Sequence, residues 1–165
     1  MNGLPLNENE TCVLATREEN AMSWLPKNCV VVPVDFSDQS IAALDEARQL
    51  VESPSRMYVI HVLPVLSSVE PGVIWDTIDD GARRDHVETA LRERLSDAKW
   101  EGVELAVRIG DPASEIVDFA SGVAADIIVL PSHGRTGLTH LLIGSVAERV
   151  IRLAKCPVLV LKEGP

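Results

Sequence analysis

A chain of 165 residues, 46% apolar and carrying a net charge of −10, is long enough for one domain with a sizeable core and too apolar to be disordered. The negative balance argues against a general nucleic-acid surface and against attachment to anionic lipid. No apolar run approaches the ~20 residues that span a bilayer. The N-terminus also lacks a basic stretch followed by an apolar one, so the expectation is a cytoplasmic protein with neither a membrane nor a nucleic-acid partner. The three cysteines, Cys12, Cys29 and Cys156, show no spacing typical of a metal or redox pair. Cys29 and Cys156 border apolar runs and read as small buried residues.

Residues 1–26 scatter Glu8, Glu10, Glu18 and Glu19 among polar residues without a period. They read as a flexible extension ahead of a single domain, 27–165. Trp24 and Leu25 are expected to pack onto that domain. Cys29 to Val34 is a nearly continuous apolar run and predicts a central strand buried on both faces. Pro33 is tolerable there only where the ladder stops. Ser37 or Asp38 caps a following helix, with Ile41, Leu44, Ala47 and Val51 on its inner face. Met57 to Val62 predicts the second strand, which Pro64 ends. A linking segment leads to a long helix with Ile78, Ala82, Ala90, Leu91 and Leu95 inward and interleaved charges outward. Val103, Leu105, Val107 and Ile109 alternate with Glu104, Ala106 and Arg108, the period of a half-exposed strand at a sheet edge. Gly110-Asp111-Pro112 gives a turn, a cap and a proline in the first helical position. The helix it starts runs to about Ser121, with Ile116, Val117 and Ala120 inward.

The stretch from Asp126 to Leu161 carries most of the chemistry. Ile127 to Leu130 predicts a buried strand. A loop with Gly134, Gly137 and Gly144 follows. Ser145 and Glu148 have capping-box spacing, so a helix is expected to start at Ser145 under its own hydroxyl and to end near Lys155 before Pro157. Pro157 to Leu161 predicts the last strand. Strand, glycine-bearing loop, helix and strand form a βαβ unit. Free N–H groups at the helix start can hold an anion, although on the glycines alone an ordinary βα loop explains the pattern at least as well. The whole chain reads β-α-β-α-β-α-β-α-β, an α/β fold with a parallel sheet and helices on both faces.

Three segments, Ser132-His133-Gly134-Arg135-Thr136-Gly137-Leu138, Leu141 to Glu148 and Cys156 to Val160, resemble the universal stress protein family. The resemblance extends back to Val31-Val32-Pro33-Val34-Asp35-Phe36-Ser37 and covers most of the chain after about residue 27. It implies a single-domain, Rossmann-like open sheet of five strands, of the adenine nucleotide alpha hydrolase type, in the order 3-2-1-4-5. Nucleotide-binding members of that family carry G-x2-G-x9-G-[S/T]. Gly134, Gly144 and Ser145 match the last part of this motif, and Pro131 stands where its first glycine would be. In those members the positions matching Asp35, Val62, Gly134, Gly144, Ser145 and Val146 line an ATP site. The resemblance also implies a homodimer formed through the last strand.

In the order 3-2-1-4-5 the switch point falls between the first and fourth strands, where open α/β sheets take ligands. Pro33, Val34 and Asp35 meet Leu130, Pro131, His133, Gly134 and Arg135 there, and the loop returns with Gly144, Ser145, Val146 and Ala147. Val62 can wall a base. Gly134 and the helix start can offer N–H groups to phosphates. Asp35 can accept from a ribose hydroxyl or approach a cation such as Mg2+, or it can simply close a helix start. His133 has no visible partner base and reads as ordering its loop. Arg135 faces either a phosphate or solvent. His61 and His140 have no ligand spacing, and His86 reads as surface, so no metal site is expected.

Three functions compete. The first is an ATP-binding regulatory module of a stress response, with hydrolysis at most slow. The second is a member that binds no nucleotide and works through dimerisation and partner contacts. The third is an enzyme such as a nucleotidyl transferase, for which neither an acid–base pair nor a second phosphate motif is visible. No catalytic residue is named. Pro131 bears on the choice, because proline offers no N–H and its ring takes up room.

Overall fold

The computed structural model describes residues 24–66, 79–133 and 143–162. Expectations for Gly134, Arg135, Gly137 and Ile78 lie outside these residues. Five strands, β1 (Val30–Pro33), β2 (Met57–Leu63), β3 (Glu104–Ile109), β4 (Ile127–Pro131) and β5 (Val158–Leu161), form one sheet in the order β3-β2-β1-β4-β5. All four pairings are parallel. The connections contain α1 (Asp38–Arg48), α2 (Asp80–Arg94), α3 (Pro112–Gly122) and α4 (Ser145–Leu153).

The continuous apolar runs conceal a period of two. Val30 and Val32 of β1, Val59 of β2 and Ile127 and Val129 of β4 pack in one core with Ala43, Leu44 and Ala47 of α1 and Leu91 of α2. Val31, Ile60, Ile128 and Leu130 point to the opposite face. They pack with Ala113, Ile116, Val117 and Ala120 of α3 and Ala147 and Val150 of α4. A parallel strand with helices on both sides needs apolar residues at every position, because alternate side chains enter different cores. The third strand lies at an edge, and its charged Glu104 and Arg108 are exposed.

Helix starts follow the local chemistry. Ser37 caps α1 by accepting from the N–H of Ser40 at 3.2 Å. Asp79 caps α2 by accepting from the N–H groups of Gly81 and Ala82. Asp111 caps α3, with Pro112 in the first turn as expected.

Two expectations need correction. Ala82 is exposed, and among the residues of α2 only Leu91 is fully buried. Val87 and Leu95 pack against the same core as Leu91. The helix rests on the sheet edge at β3, so its buried contacts fall in its second half, at Val87, Leu91 and Leu95. Trp24 and Leu25 are 60% and 42% exposed. The Trp24 ring stacks under the Lys27 ammonium at 3.7 Å instead of entering the core, an arrangement that a π-face offers without burial.

The cap of α3 is joined to the middle of α4 by a two-pronged ion pair. Arg149 Nη1 and Nη2 donate to the two carboxylate oxygens of Asp111 at 2.7 and 2.8 Å. Asp111 also accepts from the N–H and the hydroxyl of Ser114 at 3.1 and 2.9 Å. The guanidinium first, and then the Ser114 donors, lower its pKa to about 2.

Leu44 is fully buried, so Leu44→Ala is expected to cost about 2–5 kcal/mol in urea unfolding, while Ala82→Ser should change stability by under about 0.5 kcal/mol. Asp111 gives a pH signature. Its folded pKa of about 2 lies below the unfolded value of about 3.9, so its contribution is complete above that unfolded value and is lost as pH falls towards the folded one. Asp111→Asn keeps a capping oxygen but loses the charge. The melting-temperature gap between the parent and this variant should be open at pH 6 and closed near the folded pKa, as followed by thermal unfolding across that range.

Candidate functional site

β1 and β4 are paired only at Val30 with Ile127 and Val31 with Ile128. A cleft of about 320 Å³ lies at their carboxyl ends. The crossovers on either side of this junction run to opposite edges of the sheet.

The cleft brings together Pro33, Val34 and Asp35 from the end of β1 and Val62 from β2. Leu130, Pro131 and His133 come from β4 and its exit, and Gly144, Ser145, Val146 and Ala147 from the start of α4. Gly134 and Arg135, also expected here, lie outside the described residues. Sequence reasoning missed Ser40, Ile60, His61, Pro112, Ile116 and Ser132, which line the cleft as well. Pro112 and Ile116 belong to α3, which packs across the face of the sheet. No spacing motif links them to β1 or β4.

The turn after β1 is held by its own side chains. Asp35 Oδ1 accepts from the Ser37 N–H at 3.0 Å and from the Ser37 hydroxyl at 2.5 Å. The Asp35 N–H donates to Ser40 Oγ at 3.3 Å. His61 Nδ1 lies 2.8 Å from the Val34 carbonyl oxygen. A carbonyl only accepts, so Nδ1 carries the hydrogen. The Phe36 ring packs on His61 with centroids 5.1 Å apart, and Phe36 has φ 65°. A bulky residue in that region is strained, and here it carries the chain directly from Asp35 into the cap of α1.

The return into α4 corrects the expected capping box. Gly144, with φ −59° and ψ 149°, is the cap residue, and no side chain caps the helix. The Gly144 N–H donates to the Ser132 carbonyl at 2.7 Å, and Glu148 N–H bonds to the Gly144 carbonyl at 2.9 Å. Tying Gly144 to the end of β4 puts Ser145 inside the first turn. From there its hydroxyl cannot reach the N–H groups that a cap residue serves. A Cβ on Gly144 would stand 3.2 Å from the Ser132 oxygen and 3.7 Å from the His133 Cα, so glycine is what allows this close approach. The first turn of α4 therefore faces the cleft without a side-chain cap among the described residues, and the helix dipole adds positive potential there.

Pro131 leaves the pairing of β4 with β5 intact. Ile128 N–H donates to the Pro157 carbonyl at 3.0 Å and Ser132 N–H to the Leu161 carbonyl at 2.8 Å. Alternate residues of β4 thus face β5, and the Pro131 nitrogen faces β1. The Val34 N–H donates to Ile60 of β2, so the Pro33 nitrogen faces β4; neither proline can donate across this seam, and the β1–β4 ladder stops at Val31 with Ile128. The Pro131 ring forms part of the cleft wall. His133 Nδ1 lies 3.0 Å from Ser132 Oγ, which holds the imidazole against the start of the loop, while its Nε2 is buried without a hydrogen-bond partner.

Away from the cleft, burial pushes the Cys29 and Cys156 thiols above their ordinary range, with the Asp126 carboxylate adding to the effect. Both residues are half-buried, not fully buried as the apolar runs beside them suggested, and thiols with raised pKa values are poor nucleophiles. Among the described residues no three His, Cys, Asp or Glu side chains are grouped to hold a metal ion, and no helix is long and apolar enough to cross a membrane.

Comparison with known proteins agrees with this architecture. The family profile of the universal stress proteins matches residues 28–162. Universal stress protein MJ0531 of Methanocaldococcus jannaschii is 36% identical over 140 residues, which cover 81% of each chain. UspA from Lactobacillus plantarum superposes with a TM-score of 0.66 at 24% identity, over 81% of this chain and 97% of its own, a likeness of fold. A universal stress protein solved in complex with cAMP gives a TM-score of 0.59 at 26% identity, over 82% and 97%. One from Archaeoglobus fulgidus in complex with dAMP gives 0.52 at 28%, over 82% and 98%. With residues 28–162 matched by the family profile and a relative 36% identical over 81% of the chain, the chain belongs to the universal stress protein family.

Proposed function

We propose that this chain is an ATP-binding regulatory module acting in a stress response. The observation that carries the reading is the cleft between β1 and β4, with the uncapped start of α4 opening into it beside Gly144. Two similar structures were solved with the adenine nucleotides cAMP and dAMP, which supports the same ligand class here. Val34, Val62 and Ile116 offer apolar wall to a purine. The N–H groups of the first turn of α4 and the Ser145 hydroxyl offer donors to phosphates. Asp35 is the carboxylate among the cleft residues and is placed to accept from a ribose hydroxyl or to approach Mg2+ beside the phosphates. With a chain charge of −10, such local donors must do the work of anion binding. Gly134 and Arg135 complete the proposed phosphate loop. The module works by binding, with hydrolysis at most slow, and we place it in the cytoplasm, where ATP is plentiful.

Pro131 favours a second reading, a member that binds no nucleotide and acts through dimerisation and partner contacts, because its ring takes up space on the cleft wall. Both readings include a homodimer through β5. This strand closes the sheet at the edge opposite β3. Its odd-numbered carbonyls are taken by β4, so the backbone groups of Val158 and Val160 face outward, a template for a second copy.

Native mass spectrometry of protein purified without added ligand, followed by calorimetry with Mg-ATP, tests the nucleotide. Gly144→Val should abolish binding, because its Cβ would press on the Ser132 carbonyl and its methyls would fill the donor face. Ser145→Ala should leave stability nearly unchanged, since Ser145 is not the cap, and should weaken ATP only by the loss of one hydroxyl donor, about 1 kcal/mol. Pro131→Gly should bind at least as tightly as the parent. Absence of binding in both the parent and Pro131→Gly overturns the nucleotide reading. For the dimer, sedimentation should give twice the chain mass at micromolar concentration. Val160→Pro, tolerable on an edge strand, should shift it to monomer, and a monomeric parent overturns the dimer.

A further inference from the structure

Four ion pairs occur among the described residues. Arg83 with Asp80 and Arg92 with Glu88 lie within one helix, and Lys99 with Asp45 joins a surface turn to α1. Asp111 with Arg149 differs, because it joins two elements that wall the cleft. Pro112 and Ile116 place the start of α3 on one side, and Ser145, Val146 and Ala147 place the start of α4 on the other. Arg149 sits one helical turn beyond Ser145.

The two helices also share one apolar cluster through Ala113, Ile116, Val117, Ala147 and Val150. The fork from Arg149, midway along α4, reaches the cap residue of α3. Its far partner cannot drift, because the same carboxylate is fixed by the N–H and the hydroxyl of Ser114. An exposed ion pair adds little to stability. A planar fork on an anchored carboxylate, however, specifies distance and angle together.

Resting on the nucleotide reading above, we propose that Asp111 and Arg149 are positioning residues for the adenine nucleotide. Their pair sets the separation of the α3 and α4 starts, and with it the aim of the α4 donors at the phosphates. Neither side chain lines the cleft. They act through the helix starts, and affinity is the property that reads them.

The test is calorimetry with Mg-ATP on the full chain, together with thermal unfolding, for the parent, Arg149→Gln, Arg149→Lys, Asp111→Asn and the double variant Asp111→Asn/Arg149→Gln. Asp111→Asn retains a capping oxygen and is expected to fold. Each removal should weaken ATP by about fivefold to tenfold while the proteins remain folded at the assay temperature. The double variant should bind no more weakly than the weaker single one, because the two residues act as a unit. Arg149→Lys, which keeps the charge but not the fork, should fall between the parent and Arg149→Gln. Unchanged affinity in the single variants overturns the inference and leaves an ordinary surface pair. Additive losses overturn it as well. Tighter binding in Asp111→Asn with weaker binding in Arg149→Gln overturns it in favour of Arg149 as a direct phosphate contact. A parent that binds no ATP overturns the nucleotide reading and this inference with it, whereas a parent that binds beside unaffected variants overturns the clamp alone.

Discussion

The end of the ladder between β1 and β4 after two paired residues is the constraint on which the rest of the molecule turns. Both strands end in proline, Pro33 and Pro131, and neither can donate across the seam between them. A parallel sheet must bury both faces, so helices cover it everywhere except at the ends. At the one junction where successive crossovers leave in opposite directions, the strand ends line a cleft. The cleft is therefore a consequence of strand order before it is a matter of any side chain.

Apolar side chains line most of the cleft, with Asp35, Ser40, His61, Ser132, His133 and Ser145 among them as polar groups. The close approach of Gly144 to the Ser132 carbonyl draws the start of α4 against the end of β4, and the same approach moves Ser145 out of the capping position. A conventional cap would have consumed a donor that here remains directed at the opening. α1, α2 and α3 each have side-chain caps, Ser37, Asp79 and Asp111, and α3 also presents its start to the cleft. The two cleft-facing helix starts are thus unequal. Asp111 neutralises one and is tied by Arg149 to the flank of the other, so negative charge sits beside α3 and the donors sit on α4.

The far side of the site is rigid for a different reason. Asp35, Ser37 and Ser40 form a closed set of hydrogen bonds, and His61 fastens the Val34 carbonyl to β2. The positive φ of Phe36 is tolerated because these bonds and the ring contact with His61 over-determine the turn. Asp35 is consequently part of the scaffold of its own loop as well as a member of the cleft.

The alternating apolar runs, the proline after Asp111 and the half-polar edge strand made the α/β class, the helix starts at Ser37 and Asp111 and the edge position of β3 legible in the residues themselves, since these are local preferences with short-range causes. The strand order came from likeness to a family, and with it the place where Asp35, Val62 and Gly144 would meet. Three things were decided only by the tertiary structure. Ser145 lost its cap role because a bond from Gly144 to Ser132 crosses a loop. Ala82 stayed in solvent because its helix lies over a sheet edge. Pro112, Ile116 and His61 joined the cleft, and Arg149 found Asp111, because helices packed on one face of a sheet bring together residues that no spacing along the chain connects. Local sequence determines which conformation a segment prefers, but the partner at the far end of a contact depends on how the layers pack, and that is a property of the whole chain.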